Sequence, residues 1–234
     1  MKIENRVFLI TGGTSGIGLA LAGLLDQRGG KIAVFSNEEH SGAEWLSVVG
    51  DVAKRDDNER ALEECLAKFG RLDAWINNAG VARHRPIPEY SEEEIDWMLG
   101  VNLKGTILGS QVALRYFSRQ KETSGNSIVN VISTASLRGI PTESVYCATK
   151  WGVRGFTEAL AEEAASRGVR VTGVLPGGVN TAFWDAAVDR EMPVEDFLTP
   201  QQVAKGIISV LEMEDNCVAR EIILRSMQDR DFAV

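Results

Sequence analysis

Tyr146 and Lys150 are the two side chains whose spacing most directly suggests proton transfer. They stand four residues apart in a stretch predicted to be helical, Ser144 to Arg167, so they would share one helix face. A tyrosine with a pKa of about 10 is a poor base at neutral pH. A nearby ammonium favours the phenolate, so the pair could exchange a proton with a substrate oxygen. A helical tyrosine beside a solvated lysine is the alternative.

A glycine-rich segment, Thr11 to Gly18, is the second feature that could do chemistry. It lies between an apolar run, Val7 to Ile10, and a predicted helix from Ile17 to Gln27. Glycines there allow a tight turn and a close approach of backbone to a pyrophosphate, and the helix offers free N–H groups to the phosphates. The segment therefore predicts a dinucleotide site, with a glycine-rich turn that binds nothing as the alternative.

Short apolar runs alternate with longer amphipathic ones along the chain, which predicts an α/β fold with a parallel sheet covered by helices on both faces. The pattern predicts one domain, residues 1–234, with a doubly wound Rossmann-type sheet of about seven strands. A ligand crevice is expected at the carboxyl ends of the strands. The predicted strands are Val7–Ile10, Ile32–Phe35, Leu46–Val49, Ala74–Ile76, Ser127–Ile132, Arg170–Leu175 and Glu221–Leu224. The further predicted helices are Asp56–Phe69, Ser91–Arg119 with an irregularity, Ser144–Arg167 and Pro200–Leu211.

Composition narrows the range of partners. The net charge of -8 and the pI near 5.0 argue against a nucleic-acid surface and against docking on anionic lipid. Three separated cysteines suit free thiols, and two histidines without a Cys-x-x-Cys pair predict no metal site. We find no signal-peptide stretch and no membrane-spanning run, so we expect a cytoplasmic protein without a membrane partner.

Six segments, in order, resemble the short-chain dehydrogenase/reductase family in its compact single-domain subgroup. They are the Thr-Gly-x-x-x-Gly-x-Gly turn at 11–18, Asn77-Asn78-Ala79-Gly80, Asn102, Ser133, Tyr146-x-x-x-Lys150 and the Pro176-Gly177 to Thr181 loop. The resemblance implies an NAD(P)-dependent enzyme that moves a hydride between nicotinamide and a small carbonyl or secondary-alcohol substrate. Substrate identity does not follow from it.

The resemblance also implies roles for catalytic residues. Tyr146 would be the general acid or base, with its pKa lowered by the Lys150 ammonium and an oxidised nicotinamide together. Lys150 would also bind the nicotinamide ribose. Ser133 would hold the carbonyl oxygen, with Ser136 as a competitor for that role. Asn102 would hold a water that links Lys150 to solvent; a helix-interrupting asparagine is the alternative.

The implied cofactor contacts lie at several strand ends. Asp51 and Val52 would bind adenine, although Asp51 could instead be a turn or capping aspartate. Val179 and Thr181 would contact the nicotinamide carboxamide. The full implied set is Gly12, Thr14, Ser15, Gly16, Ile17, Gly18, Ser36, Asn37, Asp51, Val52, Asn78, Ala79, Gly80, Tyr146, Lys150, Pro176, Gly177, Val179 and Thr181.

The choice between NAD and NADP depends on the end of the second strand. An acidic residue there would bind the ribose 2′-OH and repel a 2′-phosphate. Ser36 occupies this position, and Ser15 and Asn37 stand where NADP-using relatives often carry a basic residue. All three are neutral, which leaves a very slight preference for NADP.

Several loop residues are open to two interpretations. Arg138 and Glu143 lie where the family places substrate contacts, but we expect both to be solvated. We expect His84 to lie at the surface or pocket rim, and Cys147 to pack inside its helix instead of acting as a reactive thiol. Phe183 to Val188 is predicted to form a short lid, in which Trp184 either lines the pocket or only packs the lid. The C-terminal strand lacks the family's frequent Gly-Gly, which puts a C-terminal oligomer contact in doubt.

Two other functions compete with this hypothesis. One is a non-catalytic dinucleotide sensor or scaffold, which would normally lose the tyrosine or lysine. The other is an epimerase or dehydratase, which normally needs a longer chain. The resemblance further implies a homodimer or homotetramer through the helices predicted at Ser91–Arg119 and Ser144–Arg167.

Overall fold

The computed structural model describes residues 1–41, 44–120, 125–187 and 194–228. Seven parallel strands form one sheet in the order β3-β2-β1-β4-β5-β6-β7. The strands are β1 Val7–Thr11, β2 Lys31–Ser36, β3 Leu46–Val49, β4 Ala74–Asn77, β5 Ser127–Val131, β6 Arg170–Pro176 and β7 Glu221–Leu224. This confirms the predicted α/β fold with a doubly wound, Rossmann-type parallel sheet.

Helices cover both faces of the sheet. They are α1 Gly16–Asp26, α2 Arg55–Phe69, α3 Glu92–Met98, α4 Gly105–Phe117, α5 Ser144–Ala165, α6 Phe183–Ala187 and α7 Pro200–Leu211. Within the part of the chain that the structure describes, no helix is both long and apolar enough to span a bilayer.

Strand β1 is fully buried because apolar side chains project from both of its faces. Phe8 and Ile10 pack in a cluster with α1 and α7, whereas Val7 and Leu9 pack with α2, α4 and α5 on the other side. The sheet is therefore the central layer of three, and its carboxyl edge is the place where loops can enclose a ligand.

Two helices begin with capping boxes that the sequence encodes. Ser91 Oγ accepts from the Glu94 amide, and the Glu94 carboxylate accepts from the Ser91 amide, as the sequence predicts. Thr199 and Gln202 form the same arrangement at α7, where Pro200 occupies the first turn. These caps fix where α3 and α7 start.

The helix predicted from Ser91 to Arg119 consists of three segments. Between α3 and α4 the chain forms a π-helix, Leu99–Lys104, which is the irregularity that the sequence predicts. Asn102 lies inside this segment and is buried. Its side chain forms hydrogen bonds with the backbone of Val81, in the loop after β4, and with Thr149 of α5.

The strand order reverses between β1 and β4, so the loops that follow these two strands diverge and leave a crevice. The link from β2 to β3 contains no helix in its described residues, in agreement with the short polar sequence there.

Candidate active site

A cavity of about 870 Å³ lies above the carboxyl ends of the strands. Of the residues implied to bind cofactor or substrate, all border this cavity except Gly18 and Asn102. Those that do are Gly12, Thr14, Ser15, Gly16, Ile17, Ser36, Asn37, Asp51, Val52, Asn78, Ala79, Gly80, Ser133, Tyr146, Lys150, Pro176, Gly177, Val179 and Thr181. The fold thus brings residues from six strand ends to one space.

The glycine turn is packed too tightly for side chains. A Cβ at Gly18 would overlap the Gly12 carbonyl oxygen and lie 2.6 Å from Asn78 Nδ2. Asn78 Nδ2 itself donates to the carbonyl oxygens of Thr11, at 3.0 Å, and Gly12, at 3.1 Å. Gly18 therefore supports the turn from behind instead of lining the cavity, and Asn78 holds the turn in shape.

The start of α1 suits a pyrophosphate. Ser15 occupies the N-cap position, but its side chain makes no hydrogen bond to the N–H groups of the first turn. A Cβ at Gly16 would lie 3.2 Å from Thr181 Cγ2, so the Pro176–Thr181 loop closes over this helix end. Uncapped N–H groups at a positive helix end, beside a backbone without side chains, fit the phosphates of a dinucleotide.

The end of the cavity that the resemblance assigns to adenosine carries hydroxyl and amide groups together with two carboxylates. Ser36 Oγ lies 3.0 Å from Thr14 Oγ1 and donates to Asn37 Oδ1 at 3.4 Å. Asp51 Oδ1 accepts from the Ala53 amide at 2.9 Å, so the aspartate shapes the turn after β3 while it borders the cavity. Glu38, which directly follows Asn37 in the sequence, also borders this end.

Tyr146 and Lys150 converge as their spacing predicts. Both are buried, and Lys150 Nζ lies 5.6 Å from the centroid of the tyrosine ring and donates to the Val131 carbonyl at 3.3 Å. Burial lowers the pKa of Lys150 to about 8, because the charged ammonium is poorly solvated there. A substantial fraction of Lys150 is therefore neutral near pH 8.

The phenol of Tyr146 lies in a buried site. Burial raises the pKa of Tyr146, and its hydrogen bond with the Ser133 side chain only partly offsets this. The expected lowering of this pKa depends on an oxidised nicotinamide as well as on the Lys150 ammonium, and it stays a prediction.

Ser133 and Ser136 have different surroundings. Ser133 Oγ accepts a hydrogen bond from the Ala135 amide at 3.1 Å. Ser133 also borders the cavity, and its side chain forms a hydrogen bond with Tyr146. Ser136 is fully buried, and its Oγ donates to the Ser133 carbonyl at 2.7 Å. The geometry favours Ser133 for contact with a substrate oxygen and gives Ser136 the task of fixing the Ser133 backbone.

Asn102 stands behind the cavity wall. Its Oδ1 accepts from the Val81 amide and its Nδ2 donates to the Val81 carbonyl, both at 2.8 Å. A Cβ at Gly80 would lie 3.5 Å from Lys150 Nζ and 3.6 Å from Asn102 Oδ1, so both polar groups lie beside Gly80.

Aromatic rings enclose the opposite end of the cavity. Trp184 borders it, donates from Nε1 to the Val179 carbonyl at 2.8 Å, and contacts Phe183 and Phe197. Trp184 therefore both lines the pocket and packs the lid. Trp97 and Phe197 were missed by sequence reasoning, and Val188, the last residue of the predicted lid, lies outside the described residues.

Glu143 is the clearest correction at this end, and His84 lies at the pocket, one of the two places expected for it. Glu143 was predicted to be solvated, yet it is only 8% exposed and borders the cavity. Its Oε1 lies 3.5 Å from His84 Nδ1, and the His84 side chain is 3% exposed, in the pocket wall and not at the surface. Arg138, also predicted to be solvated, is half-buried and borders the same space. Cys147 is buried in its helix, as predicted.

Comparisons with known proteins agree with this geometry. The model of the short chain dehydrogenase family matches residues 6–192. The 3-oxoacyl-(acyl-carrier-protein) reductase FabG of Thermotoga maritima is 33% identical over 241 residues, covering 95% of this chain and 97% of that protein. A diacetyl reductase, (S)-acetoin forming, of Staphylococcus aureus is 36% identical over 194 residues, covering 78% of this chain and 74% of that protein.

Solved structures extend the similarity to three dimensions. The 3-ketoacyl-(acyl-carrier-protein) reductase of Brucella melitensis, in complex with NADH, superimposes with a TM-score of 0.86 at 27% identity, over 97% of this chain and 99% of that one. The alcohol dehydrogenase of Thermococcus sibiricus, in complex with 5-hydroxy-NADP, gives a TM-score of 0.85 at 29% identity, over 96% and 98%.

Proposed function

Because this chain belongs to the short-chain dehydrogenase family and is an NAD(P)-dependent oxidoreductase, we propose that Tyr146 gives the proton in carbonyl reduction and takes it in alcohol oxidation. The observation that carries the proposal is the convergence at one cavity wall of a buried phenol, its hydrogen-bonded partner Ser133 and the ammonium of Lys150. Few other functions need these three groups together at a dinucleotide-shaped cavity.

Each residue would have a distinct task. Nicotinamide, when bound, supplies or accepts the hydride. Ser133 holds the substrate oxygen within reach of the Tyr146 hydroxyl, which passes its proton to that oxygen. In the reverse direction, positive charge near the phenol lowers its pKa and lets Tyr146 take the proton. Lys150 binds the ribose and, through Asn102, connects the phenol to solvent.

For the cofactor we propose a very slight preference for NADP. Three neutral groups, Thr14, Ser36 and Asn37, lie together where the ribose 2′ position is expected, and their hydroxyl and amide hydrogens can bind a phosphate. The carboxylate of Glu38 at the same end opposes a 2′-phosphate and keeps the preference small. The ratio of kcat/KM with NADPH to that with NADH measures it.

The proposed substrate is a small carbonyl compound or secondary alcohol, because aromatic rings and a few polar groups line the remaining space. Diacetyl and a 3-oxoacyl thioester are the first compounds to test, since relatives are named for these reactions. We further propose one domain over residues 1–234, a cytoplasmic location, and a homodimer or homotetramer that light scattering would detect.

The decisive experiment compares Tyr146→Phe with Tyr116→Phe in a nicotinamide absorbance assay. Both variants lose one phenol hydroxyl, but Tyr116 lies on α4 outside the cavity lining. We expect Tyr146→Phe to lose at least about a hundredfold in kcat while retaining cofactor affinity, as befits the loss of a general acid. Unchanged turnover in Tyr146→Phe would refute the mechanism. Tight cofactor binding with no turnover by the wild type across a broad panel would favour the sensor.

A further inference from the structure

Two titratable side chains that border the cavity, His84 and Glu143, have no task in the proposed mechanism. Glu143 occupies the N-cap position of α5, three residues before Tyr146. Its carboxylate Oε1 lies 3.5 Å from Nδ1 of His84, and both side chains are largely buried, at 11% and 3% exposed. Burying an acid and an imidazole together in a pocket wall is costly, which suggests that the pair serves the chemistry beside it.

His84 is fixed by a backbone hydrogen bond and by aromatic rings around its side chain. The His84 amide donates to the Ala187 carbonyl at the end of α6, at 2.9 Å. Its ring lies edge-on to Trp184, with centroids 5.9 Å apart, and 6.1 Å from the ring of Tyr146. His84 therefore connects the lid, the Glu143 carboxylate and the catalytic helix.

We propose that Glu143, held by His84, is a positioning residue that controls the protonation of Tyr146 and so the pH range of the reaction. The inference rests on the proposed role of Tyr146. A negative charge close to a phenol disfavours the phenolate, and burial limits the screening by water. The charge of Glu143 adds to the effect of burial in raising the pKa of Tyr146.

Other charges act on the same region from neighbouring elements. Burial raises the pKa of Tyr90 and of Cys147, and the charge of Glu143 adds to both effects. Arg138 partly counters it at Cys147. Among the described residues, Glu38, Asp51, Asp96 and Lys150 also border the cavity. Arg83 and Arg85, on either side of His84, pair with Glu94.

Direct titration of the phenol tests this without knowledge of the substrate. The chain has three tyrosines, so the near-ultraviolet difference between the wild type and Tyr146→Phe, each saturated with NADP+, isolates the Tyr146 phenolate. Glu143→Gln removes the charge and keeps the shape, whereas Glu143→Asp keeps the charge. Glu94→Gln is the matched control, because Glu94 accepts from Arg85 outside the cavity and glutamine preserves its capping box.

We expect Glu143→Gln to move the Tyr146 titration to lower pH by about 0.5 to 1 unit, which means about three to ten times more phenolate at a given pH. Glu143→Asp should stay much closer to the wild type, and Glu94→Gln should coincide with it. In His84→Gln/Glu143→Gln the titration should match that of Glu143→Gln, because His84 acts through the carboxylate.

Three results would overturn the inference: no shift in Glu143→Gln, equal shifts in Glu143→Gln and Glu143→Asp, or a further shift in the double variant. Failure of the proposed function would look different, because turnover would then survive in Tyr146→Phe. If Glu143→Gln does not fold, Glu143→Ala, which also removes the charge, takes its place and should shift the Tyr146 titration in the same direction.

Discussion

Gly18→Ala offers the sharpest test of how the glycine turn is built. A methyl group there would overlap the Gly12 carbonyl oxygen and lie 2.6 Å from Asn78 Nδ2. Neither neighbour can move easily, because the same Asn78 nitrogen donates to the carbonyl oxygens of Thr11 and Gly12. The start of α1 must therefore shift away from β1, and the shift moves the N–H groups proposed to bind the pyrophosphate.

Overpacking in other protein cores gives the expected loss in the free energy of unfolding, because an added methyl group in a filled site costs about 1–3 kcal/mol. For a chain of this length each kcal/mol lowers Tm by about 2–4 °C, so we expect a fall of about 2–12 °C. We also expect the Kd for NADPH to rise at least about tenfold, which corresponds to about 1.4 kcal/mol.

Gly23→Ala is the matched control in the same helix. A Cβ at Gly23 would meet nothing within 4 Å. Replacing a helical glycine by alanine then gains about 0.5–1 kcal/mol, so Tm should rise by about 1–4 °C with no change in Kd. Thermal melts with and without NADPH, together with calorimetric titration, measure both quantities. If the two variants melt alike and bind alike, the packing account of the turn is wrong.

Two further predictions follow from charges at the site. Burial depresses the pKa of Lys150 to about 8 from 10.5, so the unfolded chain binds more protons between these values and stability should rise with pH. From pH 7.5 to 9.5 we expect Lys150 to raise the free energy of unfolding, measured by urea denaturation, by about 2 kcal/mol. Lys150→Met should lack this gain. If the free energy of unfolding changes equally with pH in both proteins, the prediction is wrong. Glu38→Gln should raise the ratio of kcat/KM with NADPH to kcat/KM with NADH by about three- to tenfold, because it removes a charge that opposes a 2′-phosphate. Glu39→Gln is the control, because Glu39 does not border the cavity, and it should leave the ratio unchanged.

The fold and the convergence of the site could be predicted because local sequence rules determine them. The apolar run of β1 and the glycine turn after it specify a buried strand and a helix start. The four-residue spacing of Tyr146 and Lys150 places them on one helix face wherever the helix lies. Such features depend on neighbours along the chain.

The end of the cavity that is lined by aromatic rings, His84 and Glu143 could not be predicted in the same way. Glu143 sits in a polar stretch typical of a solvated loop, but Arg85 donates its amide to the Thr142 carbonyl and draws a distant loop over it. Phe197 enters the wall because Gly178 leaves room beside it, where a Cβ would lie 2.7 Å from the ring. Burial at these positions is decided by contacts between segments far apart in sequence.

The π-helix at Leu99–Lys104 has a consequence for insertions and deletions in this protein. Each residue of an α-helix advances the chain by about 100° around the axis. Deleting one residue within 99–104 could restore a regular helix, but it would rotate α3 against α4 by about that angle. Asn102 would then lose both bonds to Val81, or Met98 would leave the core. Insertions and deletions within the π-helix should therefore be tolerated poorly, whereas substitutions on its outer face should be tolerated better.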